Sequence, residues 1–134
     1  MSNYVDRALQ LQHDKTRHYN CAQTVLTAFA GKVGLDEETA YRLAAGFGGG
    51  MKTGRVCGAI TGGVMVLGLL GLEQPQNVER IFQTVRRCSD GREDCRDLLA
   101  WNANKGGDRG AFCHNLVIEV IKTIEEIMET EGNR

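Results

Sequence analysis

The stretch GFGGGMKTGRVCGAITGGVMVLGLLG, residues 46–71, holds more than half of the chain's 17 glycines and places them around Cys57. After Cys57 it is an apolar run without charge or proline, which predicts a buried helix. One face of that helix has small residues, namely Gly58, Ala59 and Gly62. Because glycine inside a helix costs about 1 kcal/mol relative to alanine, we expect a neighbouring helix or a cofactor to lie close to this backbone.

Glycine-rich loops also bind phosphates, but this stretch departs from that pattern. In GFGGGMKT, residues 46–53, Met51 stands where the phosphate-loop pattern GxxxxGK[ST] requires its second glycine. No strand pattern precedes it, as the motif requires. We therefore expect no bound nucleotide.

Helical patterns extend in both directions from this stretch. Asn20 and Gln23 have the spacing of a capping box, and Asp36 can cap the next helix. In that helix we expect Leu43 to face inward. No alternating strand pattern, repeat or linker is present. The sequence predicts an all-α protein, a compact bundle of about six helices in a single domain over residues 1–134, with a buried Gly-rich helix after the CGAxxG cysteine.

Length and charge argue against several classes of function. The chain has 134 residues, 16 basic and 17 acidic, with a formal net charge of −1. Without a broad basic surface we expect no nucleic-acid partner. No apolar run reaches the length of a membrane span, and the polar N-terminus lacks the pattern of an export signal, so we expect no membrane contact and a cytoplasmic location.

Five cysteines are many for a reducing compartment, where structural disulfides seldom persist. No CxxC pair occurs. Four of the five stand at predicted helix starts, where free N–H groups favour the thiolate, the form that attacks disulfides and binds metals. These four are Cys21, Cys57, Cys95 and Cys113.

CGAITG, residues 57–62, fits the pattern CGAxxG, and Cys21 precedes it while CRDLL and CHNLV follow it. Over roughly residues 18–120 the chain resembles the redox-active C_GCAxxG_C_C family. The resemblance implies four shared cysteines, at Cys21, Cys57, Cys95 and Cys113, with redox activity or a prosthetic group such as an iron–sulfur cluster. Cys88 lies outside the pattern and is either structural or a resolving partner for Cys95.

Three functions remain open from the residues. The four cysteines could ligate zinc or an iron–sulfur cluster for electron transfer or redox sensing, with Gly58, Ala59 and Gly62 close to the bound group. They could instead be the catalytic thiols of a metal-free thiol–disulfide oxidoreductase, or inert thiols packed in an interaction module. We favour the metal, because four cysteines exceed the two that thiol exchange needs.

Other roles follow less directly. Whether the protein is an oxidoreductase enzyme or an electron carrier stays open, and so does the role of His114 beside Cys113. An arginine cluster between residues 80 and 96 could dock an acidic redox partner protein. The apolar stripe of the last helix could extend into a homodimer interface, although core burial explains it as well.

Overall fold

The computed structural model describes residues 2–132. Over this range it is all-helical, with seven α-helices and no strand, so the predicted class is confirmed and the helix number is seven rather than about six. No helix within residues 2–132 is both long and apolar enough to cross a bilayer. The helices are α1 (Asn3–Gln12), α2 (Cys21–Ala28), α3 (Glu37–Ala44), α4 (Gly58–Leu70), α5 (Pro75–Arg87), α6 (Cys95–Asn104) and α7 (Arg109–Gly132).

Helix α2 is the centre of the bundle. It contacts α1, α3, α4 and α7, and every residue of α2 after Cys21 is buried. The apolar core around it is one continuous cluster. Its fully buried members include Leu26 and Phe29 near the end of α2, Ile60 of α4 and Ile121 of α7.

The start of α2 is fixed by the predicted capping box. The Asn20 side chain accepts a hydrogen bond from the Gln23 N–H at 2.8 Å, and the Gln23 side chain accepts one from the Asn20 N–H, also at 2.8 Å. The Asn20 amide also donates to the Ala45 carbonyl at 3.1 Å, which joins this helix start to the segment after α3. The two bonds of the box satisfy backbone donors that would otherwise lack partners. They place Cys21 at the first position of α2.

Helix α3 shows one correction. Asp36 caps it as predicted, accepting a hydrogen bond from the Thr39 N–H at 2.8 Å. Leu43, however, is 53 % exposed, so its predicted inward position is wrong. Ala40 and Ala44 are the buried residues of α3. The helix therefore packs on the bundle through a narrow alanine face, and Leu43 lies beside that face.

Helix α4 packs against α2 through its glycines. A Cβ on Gly62 would lie 3.0 Å from the Ala22 carbonyl oxygen and 3.1 Å from the Ala22 Cα, and one on Gly58 would lie 3.2 Å from the Ala22 nitrogen. The close approach at these two glycines is thus an approach to the backbone of a neighbouring helix. The additional role beside a cofactor, expected for Gly58, Ala59 and Gly62, stays a prediction.

We predict that Gly62→Ala lowers the free energy of unfolding, whereas Gly68→Ala on the same helix does not. At Gly62 the new methyl group would press on backbone atoms that cannot rotate away, and overpacking typically costs about 1–3 kcal/mol. At Gly68 a Cβ meets nothing within 4 Å, so only the helix preference for alanine remains, about 1 kcal/mol in favour of the variant. Chemical denaturation of both variants measures the difference between their free energies of unfolding. Equal stability of the two would contradict the prediction and would show that α2 shifts to make room for the new methyl group.

Candidate functional site: a cluster of four cysteines

Cys21 and Cys113 form a pair of neighbouring thiols. Cys21 is the first residue of α2, and Cys113 lies on α7. The two side chains line the same cavity and shift each other's pKa, and both are half-buried free thiols. The contact between α2 and α7 brings these two residues together although they are far apart in the sequence.

Cys57 and Cys95 are held by a short antiparallel bridge between Val56 and Asp94. On one side of this bridge the Cys57 N–H donates to the Glu93 carbonyl at 3.0 Å, and on the other the Cys95 N–H donates to the Arg55 carbonyl at 2.6 Å. The bridge fixes the loops before α4 and α6 against each other. Cys57 is the N-cap residue of α4, and Cys95 is the first residue of α6.

The two pairs belong to one cluster. The Cys21 thiol is close enough to interact electrostatically with Cys57, Cys95 and Cys113, and both Cys57 and Cys95 interact with Cys113. Cys88 lies elsewhere, where its charged neighbours are Glu119 and Arg87. The structure therefore brings together the four cysteines that the sequence singled out and separates the fifth from them.

The environment favours a thiolate at Cys113. The interaction with Cys21, together with the charge of Arg109, lowers the pKa of Cys113 to about 7. The same interaction and burial raise the pKa of Cys21 well above its ordinary value. Because Arg109 lies beside Cys113, the pair carries its negative charge on Cys113 and its proton on Cys21.

The other two cysteines stay protonated. Burial raises the pKa of Cys57 to about 11, although the nearby backbone N–H groups of Ala59 and Ile60 act in the opposite direction. Burial also raises the pKa of Cys95. The expectation that a helix start favours the thiolate is therefore wrong for Cys57 and Cys95, because the cost of desolvating the charge exceeds the gain from the helix N–H groups.

Arg109 is the functional residue that sequence reasoning missed. We expected Cys113 to begin the last helix, but α7 begins at Arg109, so Cys113 lies one turn inside it. Residues four apart on a helix are neighbours, which places the guanidinium beside the sulfur. The sequence signal for this helix start was Asp108. Its side chain accepts a hydrogen bond from the Ala111 N–H at 2.8 Å, as N-cap residues do.

A cavity of about 320 Å³ opens onto the cluster. Cys21, Cys95 and Cys113 line it, as do Arg109 and the exposed His114. Buried Cys57 is absent from its lining. A molecule entering this cavity would therefore meet the Cys113 sulfur with Arg109 next to it.

The fit of the cluster to a metal can be judged from its side chains. Thiolates are suitable ligands for zinc and iron. As the side chains are placed, however, no three His, Cys, Asp or Glu residues within residues 2–132 form a group that could hold a metal ion. In this placement the four thiols do not converge on one point as the ligands of a single metal ion would.

We predict that alkylation of Cys113 by iodoacetamide reaches half its maximal rate near pH 7. Its thiolate forms as the pH rises through its pKa of about 7, whereas the neighbouring thiols need a more alkaline medium. Arg109→Gln should move this midpoint to higher pH, because it removes the positive charge that stabilises the thiolate. Peptide mass spectrometry of quenched samples gives the profile of each cysteine.

Arg42→Gln is the matched control for that experiment, since Arg42 is exposed and pairs with Glu38 on α3. It should leave the Cys113 profile unchanged. A profile for Cys113 that coincides with those of Cys57 and Cys95 would contradict the assignment of the thiolate.

Comparison with known families agrees with the resemblance seen in the sequence. A family model described as "Putative redox-active protein (C_GCAxxG_C_C)" matches residues 19–127. Searches of curated proteins and of solved structures give no significant match. The matched region contains all four cysteines of the cluster and covers most of the chain. The chain therefore belongs to the C_GCAxxG_C_C family.

Proposed function

We propose that the protein carries out thiol–disulfide exchange, with Cys113 as the attacking thiol and Cys21 as the resolving thiol. The proximity of the two thiols at the wall of one cavity, with Arg109 beside Cys113, carries this proposal. Thiol exchange needs an attacking group that is largely thiolate near the working pH and a second thiol within reach of it. Cys113 and Cys21 meet these two requirements.

The reaction balances with two thiols and one disulfide. The Cys113 thiolate attacks one sulfur of a substrate disulfide, whose S–S bond breaks and releases the first half as a thiolate. This leaves a mixed disulfide at Cys113. Cys21 then attacks the Cys113 sulfur, its proton passes to the released thiolate, and the second half leaves. The substrate gains two electrons, and the protein ends with a Cys21–Cys113 disulfide.

The structure supports this division of labour between the two cysteines. Cys113 is beside Arg109, which stabilises its negative charge before the attack. Cys21 keeps its proton while Cys113 is a thiolate, because the interaction with Cys113 is the largest cause of its raised pKa, so it does not compete for the substrate. In the mixed disulfide Cys113 carries no negative charge, so this cause is lost, the pKa of Cys21 falls, and Cys21 can attack the neighbouring sulfur. Cys57 and Cys95, whose pKa values are raised, are poor nucleophiles at neutral pH.

We predict that Cys21→Ser traps the mixed disulfide. With a small disulfide as substrate, this variant should keep one substrate half attached to Cys113, because serine cannot complete the second step. The reduced wild-type protein should instead lose two thiols and retain no substrate. Intact-protein mass spectrometry distinguishes the two products, and peptide mapping locates the bond.

Cys88→Ser is the control, because Cys88 lies outside the cluster and should leave the reaction as in the wild-type protein. Cys113→Ser should abolish it. An adduct that forms equally well in Cys113→Ser would show that another thiol attacks and would overturn the proposal.

Ligation of a metal or an iron–sulfur cluster by Cys21, Cys57, Cys95 and Cys113 is the second candidate. The observation in its favour is that all four thiols lie within electrostatic reach of one another. Compared with the placement described here, the four sulfurs would have to turn toward a common point. Electron transfer or redox sensing would be the function of such a centre.

Metal analysis separates the two candidates. For the exchange function we predict a colourless protein, purified without oxygen, with iron, zinc and sulfide contents well below one per chain. Stoichiometric metal that is lost in Cys57→Ser but retained in Cys88→Ser would favour the metal centre instead. Elemental analysis and the visible spectrum of the same sample give the answer.

A further inference from the structure

We propose that the substrate is a small organic disulfide that carries a carboxylate on each half. This inference rests on the proposed exchange function and adds the class of substrate that the site selects. It is drawn from the shape and charge of two adjoining depressions beside Cys113. The exchange chemistry alone would not favour one class of disulfide over another.

The first depression is the cavity already described. Its volume of about 320 Å³ lies within the range of small-molecule sites. Leu99 and Val117 supply apolar surface, and Arg109 supplies a positive charge next to the reacting sulfur. Within residues 2–132, Arg109 forms no ion pair with a carboxylate, so a bound carboxylate would share its charge only with the Cys113 sulfur, and would have it alone once Cys113 is in the mixed disulfide.

The second depression is wider and open, with a volume of about 690 Å³. The two depressions adjoin at three residues that line both of them, His18, Asn20 and Gly49, and together they are called the groove here. Lys52 lines the second depression only and, like Arg109, has no ion-pair partner within residues 2–132. The groove therefore has a cation on each side of the three shared residues, with Arg109 in the first depression and Lys52 in the second.

The lining of the whole groove has one sign of charge. No Asp or Glu is among the residues that line either depression in the part of the chain that the structure describes. A groove lined by one sign of charge raises the local concentration of substrates of the opposite sign.

The backbone at Lys52 is a second, independent observation. Met51 and Lys52 have φ angles of 59° and 60°, in the left-handed region that non-glycine residues seldom adopt. Such conformations cost free energy and tend to occur at functional sites. Here the turn that contains them, Gly50–Gly54, follows Gly49 of the shared lining and carries Lys52 at the edge of the groove.

A disulfide has two halves on either side of its S–S bond, and the groove can take both. With one sulfur at Cys113, a carboxylate on the half inside the cavity reaches Arg109. The other half extends past Asn20 and Gly49 toward Lys52. After the attack the half with the free thiolate leaves through the open depression, and the half bonded to Cys113 stays in the cavity until Cys21 releases it.

The test is a series of three disulfides of similar length with different charge. Dithiodipropionate carries two carboxylates, hydroxyethyl disulfide is neutral, and cystamine carries two ammonium groups. Each rate with the reduced full-length protein is divided by the rate of the same disulfide with dithiothreitol, which removes differences in intrinsic reactivity. We expect this ratio to be about threefold or more higher for dithiodipropionate than for hydroxyethyl disulfide, and lowest for cystamine.

Substitution at Lys52 tests the charge preference of the groove without changing the reactivity of Cys113. Lys52→Gln should lower the ratio for dithiodipropionate and leave the ratio for hydroxyethyl disulfide unchanged, since Lys52 is outside the cavity that contains Cys113. Lys32→Gln is the control for net charge, because Lys32 is exposed and lines neither depression. In concentrated salt the preference for the dianion should disappear.

The outcomes distinguish this inference from the exchange function on which it rests. Equal ratios for the three disulfides, or a Lys52→Gln variant with an unchanged preference, would overturn the substrate class while exchange itself stands. Failure of Cys113 to react with any of the three would overturn the exchange function, and the substrate class with it.

Discussion

The contact between the glycine face of α4 and Ala22 of α2 is the constraint on which the site depends. Gly58 and Gly62 let the two backbones approach to a distance at which a Cβ would be crowded against Ala22. This contact sets Cys57, at the start of α4, beside Cys21, at the start of α2. The Val56–Asp94 bridge then carries Cys95 to the same place, and packing of α7 on α2 adds Cys113. Three separate packing relations thus converge on one end of α2.

Once gathered, the four thiols become chemically unequal because of their surroundings. Cys57 is buried and pays the full cost of desolvation, which raises its pKa to about 11. Cys113 lies at a cavity with Arg109 one helical turn away and interacts with Cys21, so its pKa falls to about 7. A protein that only packed its cysteines would have no need of this asymmetry. An exchange site requires it, because one thiol must attack while the other waits.

The sequence predicted the features that depend on local interactions. The cap at Asn20 and the helix start at Cys21 follow from side chains within one turn, and both are present. Leu43 was placed wrongly because its exposure depends on which side of α3 meets the bundle, and helix periodicity does not determine that. The start of α7 was obscured by the glycines at 106, 107 and 110, which resemble a loop. Without that start, the proximity of Arg109 to Cys113 could not be derived.

The protonation states also bear on the choice between a dithiol and a metal centre. A metal ligated by all four sulfurs would require four thiolates, and two of the four, Cys21 and Cys57, have strongly raised pKa values. Each would have to lose a proton on binding, so metal affinity would rise steeply with pH. In the existing arrangement the Cys113 thiolate has Cys21 and the charge of Arg109 beside it. Because these two groups stabilise one negative charge at neutral pH, the reduced pair meets the requirement that the proposed exchange function places on its attacking thiol.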